Sequence, residues 1–297
     1  MELDVMRCIH IAIFFLLLSF LSPSVRALDT IYYPWHDAEM FKEHGYYLDL
    51  LKLALDNSTE EFGNYQLKKA VQPMFQGRAL LEIKSNRSLS VTWTMTSVER
   101  EKDLAAIRVP LLRGLGGYRI FLIKKGQQER FSKIIHEKQL KTLFAGQGRD
   151  WPDSFILADN GYQLITGTGH ATLFNMLQHG RFDYMPRALH EPWNEVEMFE
   201  GLQVESTLAL HYPSPYYFFV SRDNPRLKER IEAGLRKAEQ NGSFKRLFDN
   251  HPVTKNIMTA AQLDKRKVFK LKNYFMSVET QAVVAKNPLF NFTKGKN

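Results

Sequence analysis

The chain reads as an α/β protein of two lobes joined by two hinge crossings. Short runs rich in β-branched and aromatic residues alternate with stretches of about ten residues at helical spacing, the pattern of α/β units around largely parallel sheets. The alternation falls into two sets, before and after the glycine-rich Gly114-Leu115-Gly116-Gly117. A second extended passage, near His211–Tyr217, returns the chain to the first set. Two crossings between two lobes make a hinge, and the cleft between such lobes is the usual seat of a ligand.

Taken in order, Thr30–Tyr33 reads as a strand closed by Pro34, and Ala38–Leu55 as a helix ending at Asp56-Asn57. Tyr65–Val71 alternates like a strand, Met74–Ile83 has helical period, and Val91–Met95 and Tyr118–Ile123 are β-rich. In the second set, Phe131–Leu140 and Trp151–Asp159 read as helices flanking a short strand at Leu143–Ala145. Tyr162–Ile165 and Phe182–Met185 are strands around a helix at Ala171–Leu177. Val204–Leu210 and Tyr216–Val220 are further strands, and Asn224–Asn250 is one long helix or two broken at Gly242. The expected organisation is a first lobe from 28–114 and 213–250, a second lobe from 115–212, and a basic extension, 251–297.

The first 27 residues have the layout of a secretory signal peptide. Arg7 precedes a largely apolar run, Ile9–Leu21, which is too short to cross a bilayer as a stable helix. Ser22-Pro23-Ser24 breaks it, and Val25-Arg26-Ala27 offers short residues for cleavage after Ala27. The expected location is therefore periplasmic, with the mature chain starting at Leu28. The single cysteine, Cys8, lies in the signal segment, so the mature chain contains no thiol nucleophile, zinc–thiolate site or disulfide. Net charge is +8, but 252–297 holds nine Lys/Arg against two acids, so the body is nearly balanced. Basicity confined to one tail argues against nucleic-acid binding, which needs a positive stripe on the folded surface. Lys265-Arg266-Lys267 with Lys270 and Lys272 reads chiefly as a solvated face. Val268–Phe275 and Leu289–Phe292 are placed to wrap back on the first lobe or to dock a partner.

Four stretches carry a family resemblance: Gly45-Tyr46-Tyr47-Leu48-Asp49-Leu50; Ser97-Val98-Glu99-Arg100 with Pro110 beyond it; Gly180-Arg181-Phe182-Asp183; and Asn241-Gly242-Ser243-Phe244 with Leu247-Phe248. In this order, over roughly 30–250, the chain resembles the bacterial extracellular solute-binding proteins of family 3, the amino-acid-binding type with the type II periplasmic-binding fold. The resemblance implies a clamshell that captures a small anionic or zwitterionic solute, an amino acid or carboxylate, for uptake through an ABC transporter. It implies a small-molecule ligand, an inner-membrane permease or sensor as partner, a monomer, and no cofactor or metal.

By the same resemblance Arg100 holds the ligand's carboxylate, a task suited to a guanidinium fork; the alternative pairs it with Glu99 or Glu101. Thr94 and Ser97 would add hydroxyls and Trp93 an aromatic wall, unless Trp93 belongs to the core. Gly146-Gln147-Gly148-Arg149-Asp150-Trp151 sits where a helix start would attract an anion, with Asp150 as a competing N-cap. Thr168, before another helix, takes either role. The aspartate that would pair with an α-ammonium falls on Ala188, beside Arg187, so Arg100, Arg149 and Arg187 together favour a multiply anionic ligand. Alternatively Arg187 pairs with Glu191. Trp35, with Trp93 and Trp151, is placed to clamp a flat or cationic group.

An enzyme on the same fold, a periplasmic dehydratase, would draw acid–base groups from Asp150, His170, His190 and Glu191. The sequence contains neither a nucleophile elbow nor a His-Glu-x-x-His metal motif, nor a carboxylate pair of defined spacing. The expectation is a binder, with a ligand-sensing module as the alternative.

Overall fold

The computed structural model describes residues 28–35, 43–287 and 290. The expected signal peptide, the start of the Ala38–Leu55 helix and most of Leu289–Phe292 lie outside them. Among the described residues are twelve strands. The first four are β1 (Asp29–Tyr33), β2 (Tyr65–Lys69), β3 (Val91–Met95) and β4 (Ala105–Ile107). Next come β5 (Tyr118–Lys124), β6 (Phe144–Gly148), β7 (Gln163–Gly167) and β8 (Tyr184–Ala188). The last are β9 (Leu202–Val204), β10 (Leu208–His211), β11 (Tyr216–Val220) and β12 (Lys267–Lys270).

In the first lobe β1 and β2 pair in parallel, and β11 lies antiparallel between β3 and β4. Ser90 N donates to Tyr32 O at 2.9 Å and Tyr32 N to Ser90 Oγ at 3.0 Å, joining the two pieces. The core forms where the Glu43–Asn57 and Pro225–Gln240 helices press Leu50, Ala54, Ile231 and Leu235 onto Val91, Ile107 and Phe218. In the second lobe the strand order is β12-β10-β5-β8-β6-β7, with β9 also on β5. Its core gathers Phe121, Ile123, Phe131, Ile156 and Tyr184.

The sheets are mixed, not largely parallel as the alternation predicts. β5 and β11 are the strands that follow the crossings; each arrives from the other lobe and not through a helix on its own sheet. Each enters antiparallel to its neighbours. The crossings, 108–117 and 212–215, run side by side, with Tyr212 N donating to Gly117 O at 2.9 Å. A Cβ on Gly116 would stand 2.8 Å from the Ser214 carbonyl oxygen, so the glycine-rich passage is small because two backbones touch there.

The expected Phe131–Leu140 helix is two short ones, Gln128–Ser132 and Glu137–Leu140. The Gln139 side chain accepts the N–H groups of Ile135 and His136, each at 2.8 Å, and so starts a new helix. Val204–Leu210 likewise splits into β9 and β10, and Asn224–Asn250 breaks at Gly242, which is left-handed at φ 75°.

The C-terminal segment is not a free extension. After the Ser243–Asn250 helix the chain passes to the second lobe, where β12 joins the sheet edge in parallel with β10. Arg266 is buried and donates to Ala261 O, at 2.6 Å, and Leu208 O, at 3.0 Å. The chain then returns. Val98 N donates to Phe275 O at 2.8 Å, and the hydroxyls of Ser277 and Thr280 donate to the Glu101 carboxylate at 2.7 and 2.6 Å. Two further passages between the lobes are thus added to the hinge pair.

Candidate functional site

A cavity of about 100 Å³ lies between the lobes, where the ends of β3, β6 and β8 face one another. The first lobe contributes Tyr47, Trp93 and Thr94; the second contributes Trp151, Asp153 and Arg187. Tyr216, the first residue of β11 after the return crossing, also lines the cavity. The aromatic wall is ordered: Tyr47 stacks on Trp93 with centroids 5.7 Å apart and on Tyr216 at 6.3 Å. From the other lobe, Trp151 packs against His170 at 4.9 Å.

The lobes touch directly. Tyr47 Oη and His190 Nε2 are 3.0 Å apart, Arg119 Nη2 lies 3.2 Å from Met95 Sδ, and Arg100 Nη2 donates to Asp150 O at 3.1 Å. Burial pushes the His190 imidazole down to about 4; the Glu191 charge opposes this and those of Arg187 and Arg119 add to it, so the ring is neutral at pH 7.

Arg100 is held by its own protein. Nη1 donates to Thr94 Oγ1 and Met95 O, both at 2.7 Å, and Nη2 to Gln76 Oε1 at 2.7 Å as well as to Asp150 O. Four of its five N–H donors are therefore spent on protein oxygens. The expected pairing with Glu99 or Glu101 is not made; Glu101 is occupied by Arg108, Thr96, Ser277 and Thr280. Burial lowers the Arg100 guanidinium to about 10, which leaves it charged at neutral pH. Arg100 and Ser97 line a second cavity of about 100 Å³ with Asp150, Phe155 and Phe275. Ser97 caps the Val98–Asp103 helix, its Oγ accepting Arg100 N at 3.2 Å.

The helix after β6 is not the anion site that its glycines suggest. It runs Pro152–Asp159, with Trp151 at the N-cap and no side-chain cap, so Asp150 does not cap it. Proline at the first position removes one N–H, and Asp153 in the first turn places a carboxylate at the positive end. The glycines serve packing. A Cβ on Gly146 would lie 2.1 Å from the Phe182 ring, and one on Gly148 would lie 2.4 Å from the Trp151 indole.

Arg119 Nε donates to Asp153 Oδ1 at 2.7 Å, and the same oxygen accepts Tyr212 Oη at 2.5 Å. Burial works to raise the Asp153 carboxyl, but the Arg119 charge and these hydrogen bonds outweigh it and hold it below its ordinary value. Arg187 donates Nε to both oxygens of Glu195 at 2.9 Å, donates Nη2 to Glu195 as well, and lies 3.3 Å from Glu191. Its guanidinium also sits 5.1 Å over the Trp151 ring. Arg187 therefore pairs chiefly with Glu195, a residue the sequence does not single out, and only secondarily with Glu191.

Of the expected site residues, Trp93, Thr94, Trp151 and Arg187 line the cleft, while Arg100, Ser97 and Asp150 line the neighbouring cavity. Arg149 and Thr168 are exposed at the ends of β6 and β7 and line neither, so three arginines do not converge. Trp35 lies in the first lobe, where its indole N–H donates to Ala70 O at 2.7 Å and its ring packs against the core cluster that holds Ala70, Ile83 and Phe219. It is a packing residue and lines neither cavity. Sequence reading misses Tyr47, Arg119, Asp153 and Glu195. A visible signal existed for Arg119, the lone charge inside the apolar Tyr118–Ile123 run.

No family model matches the chain, and no curated protein matches it. Solved structures do. One is an ancestral arginine-binding protein bound to glutamine, at 17% identity and TM-score 0.57, over 75% of this chain and 97% of that one. Another is a periplasmic binding protein of Salmonella typhimurium with high arginine specificity, at 10% and 0.54, over 74% of this chain and 98% of that one. A third is a histidine kinase sensor domain with similarity to periplasmic binding proteins, at 15% and 0.54, over 76% and 96%. The matched structures are mostly binding proteins. Roughly a quarter of this chain has no counterpart in them. The chain has the two-lobed α/β fold of the periplasmic binding proteins.

Proposed function

We propose that this protein is a periplasmic solute-binding protein that captures a small zwitterionic solute, an amino acid in size, between its lobes for uptake. The observation that carries the reading is the cleft, walled by aromatic and charged residues from both lobes at the ends of β3, β6 and β8. A ligand that touches both walls binds the shut state better than the open one and shifts the hinge population toward closure. The fold's solved neighbours include amino-acid binders, which fits this size class. A purely anionic solute is disfavoured, because the charges of Arg119 and Arg187 are already met by Asp153, Glu195 and Glu191. The lobe limits that accompany this reading are 28–114 with 213–250, and 115–212, with export by the segment 1–27.

We read the site as non-catalytic. Asp150 is exposed, and Glu191 accepts the Ala188 N–H at 2.8 Å. His190 is held neutral against Tyr47. The alternative, a sensing module that reports to a membrane receptor, is favoured by one feature, the C-terminal segment bonded to both lobes. Among the described residues no helix is long and apolar enough to cross a membrane.

A thermal-shift screen of the mature chain against amino acids, dicarboxylates, sugars and polyamines tests the reading. A ligand at 100 times its Kd adds about 2.7 kcal/mol of stability by mass action, and an amino acid should give the largest shift. If no compound in the panel moves the melting temperature, the solute-binding reading is wrong.

A further inference from the structure

The charged side chains of the cleft differ in what they have left to offer. Arg119 spends its donors on Asp153, on the Gly116 and Tyr118 carbonyls and on Met95 Sδ. Arg187 gives Nε and Nη2 to Glu195 and Glu191 and lays its guanidinium over the Trp151 ring, and among the described residues no hydrogen bond of its Nη1 is found. The acceptors are less fully used. Both hydrogen bonds to Asp153 fall on Oδ1, and among the described residues no group bonds Oδ2. The side chain is 10% exposed and lines the cavity. Behind it, Gln147 gives its Nε2 to Pro186 O at 3.0 Å; a carbonyl can only accept, which fixes the amide orientation and leaves Oε1 buried without a partner.

From this asymmetry we infer that Asp153 is the residue that selects the solute, through Oδ2, by accepting N–H from a cationic head group such as an ammonium or amidinium. The inference rests on the solute-binding reading and names its chemical class. The charged residues that line the cavity balance, Arg119 and Arg187 against Asp153 and Glu191, so what favours a cation is local, the unbonded oxygen of Asp153. Tyr47, Trp93 and Tyr216 line the same cavity, and aromatic walls suit a cation. Tyr216 and Thr94 line the cavity as well, the Thr94 hydroxyl accepting from Arg100.

Benzamidinium and benzoate, one ring carrying opposite head groups, test this by calorimetry on the mature chain. Benzamidinium should bind the native protein and benzoate should not. Asp153→Asn keeps an oxygen for Arg119 and Tyr212 but turns an N–H toward the cavity, so it should weaken benzamidinium by about ten- to a hundred-fold and admit benzoate. A native chain that prefers benzoate overturns the inference and leaves the solute-binding reading standing. Unchanged benzamidinium affinity in Asp153→Asn also overturns it. If the variant does not fold, the comparison of the two probes on the native chain still decides. Binding of neither probe, with no response to any amino acid, removes both readings.

Discussion

Arg100 and Asp153 are buried ions on opposite sides of the seam between the lobes, yet they are built differently. Arg100 has only neutral oxygens as partners, from Thr94, Met95, Gln76 and Asp150, and they use four of its donors. Asp153 has a charged partner, Arg119, and keeps one oxygen in hand. Identity and position in a motif therefore do not make a ligand-binding residue. What counts is the hydrogen-bonding capacity left after the fold has taken its share.

The comparison breaks most sharply on removing each ion. Asp153→Ala strands the Arg119 charge in the interior and should cost about 4 kcal/mol in urea unfolding. Arg100→Met leaves no opposite charge unpaired and should cost about 2 kcal/mol, the price of hydrogen bonds alone. Equal losses would erase the distinction between the two sides.

A second measurement separates them by pH. His190, buried on the Asp153 side, has its native value lowered to about 4 from an unfolded value of 6.5. The unfolded chain then binds more protons across that window, so stability is fully present above 6.5 and falls as pH drops toward 4. The contribution lost is about 3 kcal/mol. His190→Gln should make the profile shallower between those limits, His211, likewise lowered to about 4 by burial, keeping the remainder, whereas Arg100→Met, which titrates far higher, should leave the slope unchanged. A profile as steep in His190→Gln as in the native chain would show that other groups carry it.

The smallest effects lie at two residues the sequence offers for binding. Ser97→Ala removes a helix cap and should cost about 1 kcal/mol with solute affinity unchanged. Arg149→Ala, exposed and outside the cleft, should change stability by no more than about 0.5 kcal/mol. A ten-fold loss of solute affinity in either would restore it to the site.

The fold was legible because it rests on periodicity and on the position of the crossings; both Gly114–Gly117 and His211–Tyr217 lie where the chain changes lobe. The aromatic wall was partly legible too, through Trp93 and Trp151. The charge pairing was not. Arg187 with Glu195 spans half a strand, a turn and a helix, and Arg119 with Asp153 joins two elements far apart in the chain. Glycines misled for a related reason. Gly146 and Gly148 look like an anion nest in sequence, and only the Phe182 and Trp151 rings reveal that they clear space.

The segment that carries β12 and then fastens to Glu101 has a consequence for kinetics. A pivot of two strands lets a clamshell swing freely, but here a further passage joins β12 on one lobe to Ser277 and Thr280, which are fastened to a buried carboxylate on the other, and it restrains wide opening. Solute entry and escape should then both be slow, with long residence times at ordinary equilibrium affinity.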